Sequence, residues 1–289
     1  MNTVNTRLRL FKLLLCAVLL LPFSLSASSP VAMISDLQGK VTLHGNDKAA
    51  EILSELNVGD IVNVDAGGKL VVVFYDSGNE FSVSGPSAIR IGAAAPEPVN
   101  GNKPTRKDSS YDKGLKSIKS KTFGLAQAAL VLRSAGKGSA NPELRGLVDT
   151  RTLDSYPVFR WKPFKEQSVY HLELTDATGL TIIETDVTGN EYRTPENITL
   201  KPNEDYFWYL SVKIKGRKYT GRGDFSMVDN QARKDVEAHR PQGKAGVSDR
   251  VIFATWLESN RYNDEARKYW VTLAKERPDV ESLRKRAQQ

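Results

Sequence analysis

The chain has 289 residues, of which 40 % are apolar and 26 % charged, with 41 Lys and Arg against 34 Asp and Glu. These are the proportions of an ordinary packed protein and exclude both a mostly disordered chain and a polytopic membrane protein; the length suits two or three domains. One cysteine and three histidines exclude most thiol and metal chemistry.

Residues 1–28 read as a secretory signal. Arg7, Arg9 and Lys12 make a positive start, and no acid occurs before Asp36. Leu13 to Phe23 is an apolar run of 11 residues, followed by the small residues Ser24, Ser26, Ala27 and Ser28. A spanning helix needs ~20 apolar residues, so the run suits a cleaved leader. Cys16 lies inside the run after Leu15, where a lipidated cysteine would instead follow it. Cleavage removes that cysteine and leaves a net charge of +4. The expected location is periplasmic or secreted, with packed cores in place of disulfides. Nucleic acid is not an expected partner there.

The segment 29–92 reads as all-β. Val31 to Ile34, Lys40 to Leu43, Ile61 to Val64, Phe81 to Val83 and Ala88 to Ile91 are short strand patterns separated by Gly and Asp turns. Leu70 to Tyr75 is apolar on both faces, which predicts a buried central strand. The order Gly39-Lys-Val-Thr-Leu, Leu56…Val58-Gly59-Asp60, Gly67-Gly68…Leu70-Val-Val-Val-Phe, Asp76-Ser-Gly and Phe81-Ser-Val…Gly85-Pro86-Ser87 resembles the FecR-type periplasmic domain. That family passes a signal from an outer-membrane receptor to a sigma factor, with a cytoplasmic segment and a spanning helix ahead of the domain. Only 12 residues precede the apolar run here, so the resemblance implies an envelope β domain.

Residues 93–149 read as a basic linker with a helix over about 114–134, on which Leu115, Ile118, Leu125, Ala129 and Leu132 share a face. From Lys103 to Lys121 there are seven bases, among them Lys103, Arg106 and Lys107, and two acids. An anionic membrane surface is one expected contact for this stretch, and a solvated linker the other reading.

Residues 150–229 hold about seven short strands, which is the arithmetic of a sandwich. On the longest, Tyr206 to Lys215, the residues Tyr206, Trp208, Leu210, Val212 and Ile214 share one face. Phe207 and Tyr209 therefore point the other way and are candidate partner-binding residues. The alternative is that the C-terminal helices cover them through Tyr269 or Trp270. Gly216 and Gly223 are read as turns. The order Pro157…Phe159-Arg-Trp161, Tyr170-His-Leu-Glu-Leu, Leu200-Lys-Pro202…Tyr206-Phe-Trp208-Tyr-Leu and Phe225-Ser-Met resembles a fibronectin type III-like domain.

Residues 230–289 read as helical. Ser248-Asp249 caps one helix, and Asn263 or Asp264 a second that carries Ala266, Tyr269, Trp270, Leu273 and Ala274 at i, i+3, i+4 spacing. Ala254, Ala266, Trp270 and Pro278, at intervals of 12, 4 and 12, resemble one tetratricopeptide repeat. A lone helix pair cannot bury its apolar face, so it must pack on the sandwich or on a partner.

The fold expected is therefore mainly β: a small FecR-like β domain and a fibronectin type III-like sandwich, with a helical linker and a C-terminal α-helical hairpin. Reactive groups are sparse. His44, His171 and His239 show no metal spacing, and Asp60, Asp65 and Asp76 fall at turns where aspartate bonds its own backbone. No catalytic residue, cofactor or metal is expected. The reading is a non-enzymatic envelope binding or scaffold protein, whose partner is an envelope protein or a cell-wall polysaccharide. A periplasmic sensory component acting through the FecR-like domain is the alternative.

Overall fold

The computed structural model describes residues 29–43, 48–107, 142–163 and 168–288. The expected signal segment and the helix over 114–134 lie outside the described residues. Within them the chain is mainly β, as the strand patterns require.

The first module has two five-stranded sheets. One contains β1 (Ala32–Gln38), β4 (Glu55–Leu56), β6 (Lys69–Phe74), β7 (Glu80–Ser84) and β10 (Thr105–Lys107), in the order β10-β7-β6-β1-β4. The other contains β2 (Val41–Leu43), β3 (Lys48–Ala49), β5 (Ile61–Val64), β8 (Ser87–Ile91) and β9 (Pro96–Gly101), in the order β3-β2-β5-β8-β9. Ile34, Leu56, Leu70, Val72 and Phe74 from the first sheet meet Val62, Val64, Ile89 and Ile91 from the second in one core. Strand β6 is central, as its two-sided apolar pattern predicts.

The linker reading fails for residues 96–107. β9 pairs with β8 from Pro96↔Ile91 to Gly101↔Ser87, and β10 pairs with β7 from Thr105↔Ser82 to Lys107↔Glu80. Both are edge strands, which tolerate Pro96 and Pro98 because an outward N–H has no ladder bond to make. Their polar composition reflects an exposed edge, not an unstructured segment.

The second module has a sheet of β11 (Thr150–Thr152), β13 (Val169–Asp176), β14 (Thr181–Thr188), β16 (Asp205–Ile214) and β17 (Arg217–Met227), ordered β11-β17-β16-β13-β14. A separate pair, β12 (Val158–Arg160) with β15 (Glu191–Arg193), adds Phe159 to the same core. Trp161, Tyr170, Trp208 and Phe225 fill that core, and both indoles find acceptors: Trp208 Nε1 donates to Leu147 O at 2.8 Å and Trp161 Nε1 to Gly189 O at 3.1 Å. Tyr206, at the start of β16, accepts the Lys201 N–H at 2.7 Å, the tyrosine corner found in sandwich folds. No turn occurs at Gly223. β17 runs through it, and a Cβ there would lie 2.3 Å from Trp208 Nε1. Glycine is required at this position because the indole approaches the backbone, and Arg222-Gly223-Asp224 is part of a paired strand.

Four helices follow among the described residues: α1 (Asn230–His239), α2 (Val247–Ser259), α3 (Asn263–Glu276) and α4 (Glu281–Ala287). Asp229 caps α1 by accepting the Ala232 N–H at 2.8 Å. Ala254 and Ala266 are fully buried, as small residues between packed helices should be. The helices pack on the first module. Met33, Ile52, Val73 and Tyr75 share a core with Val251, Phe253, Leu257, Trp270 and Leu283. Arg277 reaches Asp36 at 3.2 Å and Leu37 O at 3.1 Å on β1. The α2–α3 turn also touches the edge of the second module. Asp264 Oδ2 accepts the Leu147 N–H at 2.9 Å, Asn263 Nδ2 donates to Asp149 O at 2.8 Å, and Thr150 Oγ1 donates to Arg261 O at 3.0 Å.

Candidate functional site

The pleat of β16 divides its side chains between two environments. Tyr206, Trp208, Leu210 and Val212 are buried, whereas Phe207 and Tyr209 are half-buried on the outer face. Register then sets their neighbours. Phe207 lies between Thr175 and Asp224, and Tyr209 between Glu173 and Arg222. The Arg222 guanidinium sits 4.8 Å from the Phe207 ring centre and 5.9 Å from that of Tyr209. Such cation–π contacts contribute about 0.5–1 kcal/mol each at exposed sites.

The C-terminal helices do not cover this strip. Tyr269 instead meets Phe253 edge-on at 5.0 Å and accepts from Arg240 at 2.9 Å, while Trp270 Nε1 donates to Glu258 at 2.8 Å. The helices bury their apolar face against Met33 of β1, Val73 of β6 and Tyr75 just beyond it.

Beside the aromatic strip the sheet turns acidic. His171 on β13 lies 2.9 Å from Asp186 and 3.3 Å from Glu184 on β14, and Thr181 donates to Glu173 at 3.1 Å. The face thus offers two rings, one guanidinium and several acceptors. Among the described residues no group of three or more His, Cys, Asp and Glu is placed to hold a metal ion.

The other candidates lie on the first module. Lys103 is exposed between β9 and β10, and Arg106, on β10, donates to Asn79 Oδ1 at 2.9 Å. The backbone of Lys107 pairs with Glu80; its side chain lies outside the described residues. Lys103, Arg106 and Lys107 therefore do not join Phe207 and Tyr209 in one site. The turn carboxylates are separate as well. Asp60 accepts the Asn57 N–H at 2.7 Å, and Asp65 pairs with Lys40 at 3.5 Å. Glu80 is fully buried beneath α2, where Ser248 Oγ donates to it at 2.7 Å and lies 2.8 Å from Ser35 Oγ.

Sequence reasoning missed Arg222 and the basic end of the β16–β17 hairpin. The signal was present: between Asp205 and Asp224 no acid occurs, while Lys213, Lys215, Arg217, Lys218 and Arg222 all do.

No protein-family model and no curated protein matches the chain. Two solved structures of a β-glucuronidase from Parabacteroides merdae are similar, one with glycerol in its active site. The first shares 9 % identity over 46 % of this chain and the second 8 % over 48 %, each with a TM-score of 0.22. The matches cover 26 % and 28 % of those chains, so this chain spans about a quarter of their length. A likeness this slight carries no argument about fold or activity.

Proposed function

We propose that the protein is an exported, non-enzymatic component of the cell envelope that binds a partner on the outer face of its second module. The observation that carries the reading is the open strip of Phe207 and Tyr209 beneath Arg222. Aromatic and arginine side chains are the residues most often dominant in protein interfaces. Export is supported by the pattern of residues 1–28. The FecR-like reading of the first module is supported by the order of its sequence motifs from Gly39 to Ser87. The fibronectin-like reading of the second is supported by the tyrosine corner and the Trp161–Trp208 core.

The test is a photoreactive residue in place of Tyr209, irradiated in intact cells. The expected result is a discrete crosslinked protein whose yield falls at least tenfold in Phe207→Ala. A covalent adduct with cell-wall glycan would instead favour the polysaccharide partner. Absence of any adduct, with the chain present and folded, would refute the surface.

A further inference from the structure

The far end of the β16–β17 hairpin has charges arranged against its own stability. Lys213 and Lys218 are directly opposed across the ladder, and like charges so placed destabilise a strand pair. Lys215 occupies the first turn position at φ 49°, followed by Gly216 at φ 77°. A two-residue turn with both φ angles positive favours Asn or Gly at that first position, and a lysine there is held in a left-handed conformation. Lys213, Lys215, Arg217 and Lys218 are all exposed, and among the described residues no side-chain hydrogen bond or ion pair engages them. Described carboxylates of the same module are committed elsewhere: Asp186 and Glu184 to His171, and Glu143 to Arg145 and Lys162.

We propose that this hairpin tip docks on an anionic phospholipid surface. The placement of the cations separates a surface from a linear polyanion. Register sets Lys213 and Lys218 on the outer face, Arg217 with Ile214 on the opposite face, and Lys215 at the turn. Charges on every side of a tip suit an end-on approach to a plane, whereas a polymer lying in a groove needs them along one face. Val169, 54 % exposed, lies on the outer face next to the tip and adds an apolar contact between the lysines and the bilayer. The tip is about 30 Å along β16 from the end joined to α1, at ~3.3 Å per residue. This surface is distinct from the strip at Phe207 and Tyr209 and does not depend on the partner bound there.

The test is sedimentation of the purified chain with mixed phosphatidylglycerol–phosphatidylcholine vesicles, with pure phosphatidylcholine vesicles and soluble heparin as the other arms. Binding is expected only to the anionic vesicles and should weaken steeply with salt. Each cation near such a surface contributes about fivefold. Replacing all four with glutamine should abolish sedimentation. Lys218→Glu should lower vesicle affinity by roughly 25-fold, from two units of charge, while raising the melting temperature by converting a like-charge pair into an ion pair. That opposite movement separates lost docking from lost folding. Failure to bind anionic vesicles would overturn the proposal. So would binding that survives the four glutamine substitutions, or capture by heparin without vesicle binding. Capture of a protein partner at Tyr209 that persists in the glutamine variant would leave the partner reading intact.

Discussion

Glu258 sits between the helices with Arg286 Nη1 at 3.0 Å and Trp270 Nε1 at 2.8 Å, its side chain 14 % and that of Arg286 7 % exposed. Burial lifts its pKa above the ordinary 4.5, although Arg286 and Trp270 oppose the shift. The folded state therefore holds this proton more tightly than the unfolded chain. Its contribution to stability is present in full below about pH 4.5 and is lost as pH rises through the raised folded value. Urea melts from pH 4 to 7 should show this decline in the wild type and not in Glu258→Gln. Arg286→Met removes the cation from a buried pair and should cost about 3–5 kcal/mol at pH 7. Gly223→Ala places a Cβ 2.3 Å from Trp208 Nε1 and 2.8 Å from Leu147 O, in the path of the Trp208–Leu147 hydrogen bond. Overpacking together with that lost bond should cost about 3 kcal/mol by denaturant titration; an unchanged midpoint would contradict the close approach. Single residues were also where sequence reading was mixed. Of the expected caps, Asp249 accepts the Gly246 N–H at 3.0 Å at the start of α2, whereas Ser248, Asn263 and Asp264 bond Glu80, Asp149 and Leu147 across module boundaries. A cap and an interface contact use the same side chains, and no local pattern tells them apart.

Elements were more legible than residues, because strand alternation depends only on which face is wet. The alternation of Tyr206, Trp208 and Leu210 predicted the core face of β16 correctly, and Tyr170, Leu172 and Leu174 of β13 alternate into the same core. The two-sided pattern of β6 held more information than a central position. Leu70, Val72 and Phe74 face the sandwich core, and Val73 and Tyr75 face the helices. Strands β9 and β10 escaped notice because exposed edges lack alternation and carry Pro and Lys. The outward direction of Phe207 and Tyr209 was readable from the pleat, but Arg222 above them required the register of β17. At the scale of the hairpin, relieving the left-handed lysine should stabilise the fold. Lys215→Asn should raise unfolding free energy by about 1 kcal/mol, measured by thermal melts. On the outer face, Phe207→Ala with Tyr209→Ala should cost no more than about 2 kcal/mol, since the rings are half-buried and meet Arg222 through cation–π contacts. A larger loss would mean that further structure packs on this strip.

At the scale of the whole molecule the helices join both β modules. Helix α2 is buried over Val251–Leu257, and a helix apolar on all sides belongs inside a structure. The sequence shows that requirement without naming the covering surface, because apolar contacts carry no address. The polar contacts that select the surface, such as Ser248 to Glu80 and Arg277 to Asp36, join residues 168 and 241 positions apart. One consequence is that destabilising the first module should destabilise the second through the helices. The chain's four tryptophans, Trp161, Trp208, Trp256 and Trp270, all lie outside the first module and so report on the sandwich and helices. Met33→Ala leaves a cavity on the β1 face that meets α2 and should cost about 2–5 kcal/mol. The most direct measurement is denaturant unfolding of the wild type and Met33→Ala, followed by tryptophan fluorescence. A single transition that shifts to lower denaturant as a whole is the predicted result; a tryptophan transition indifferent to Met33 would show that the helices do not couple the modules.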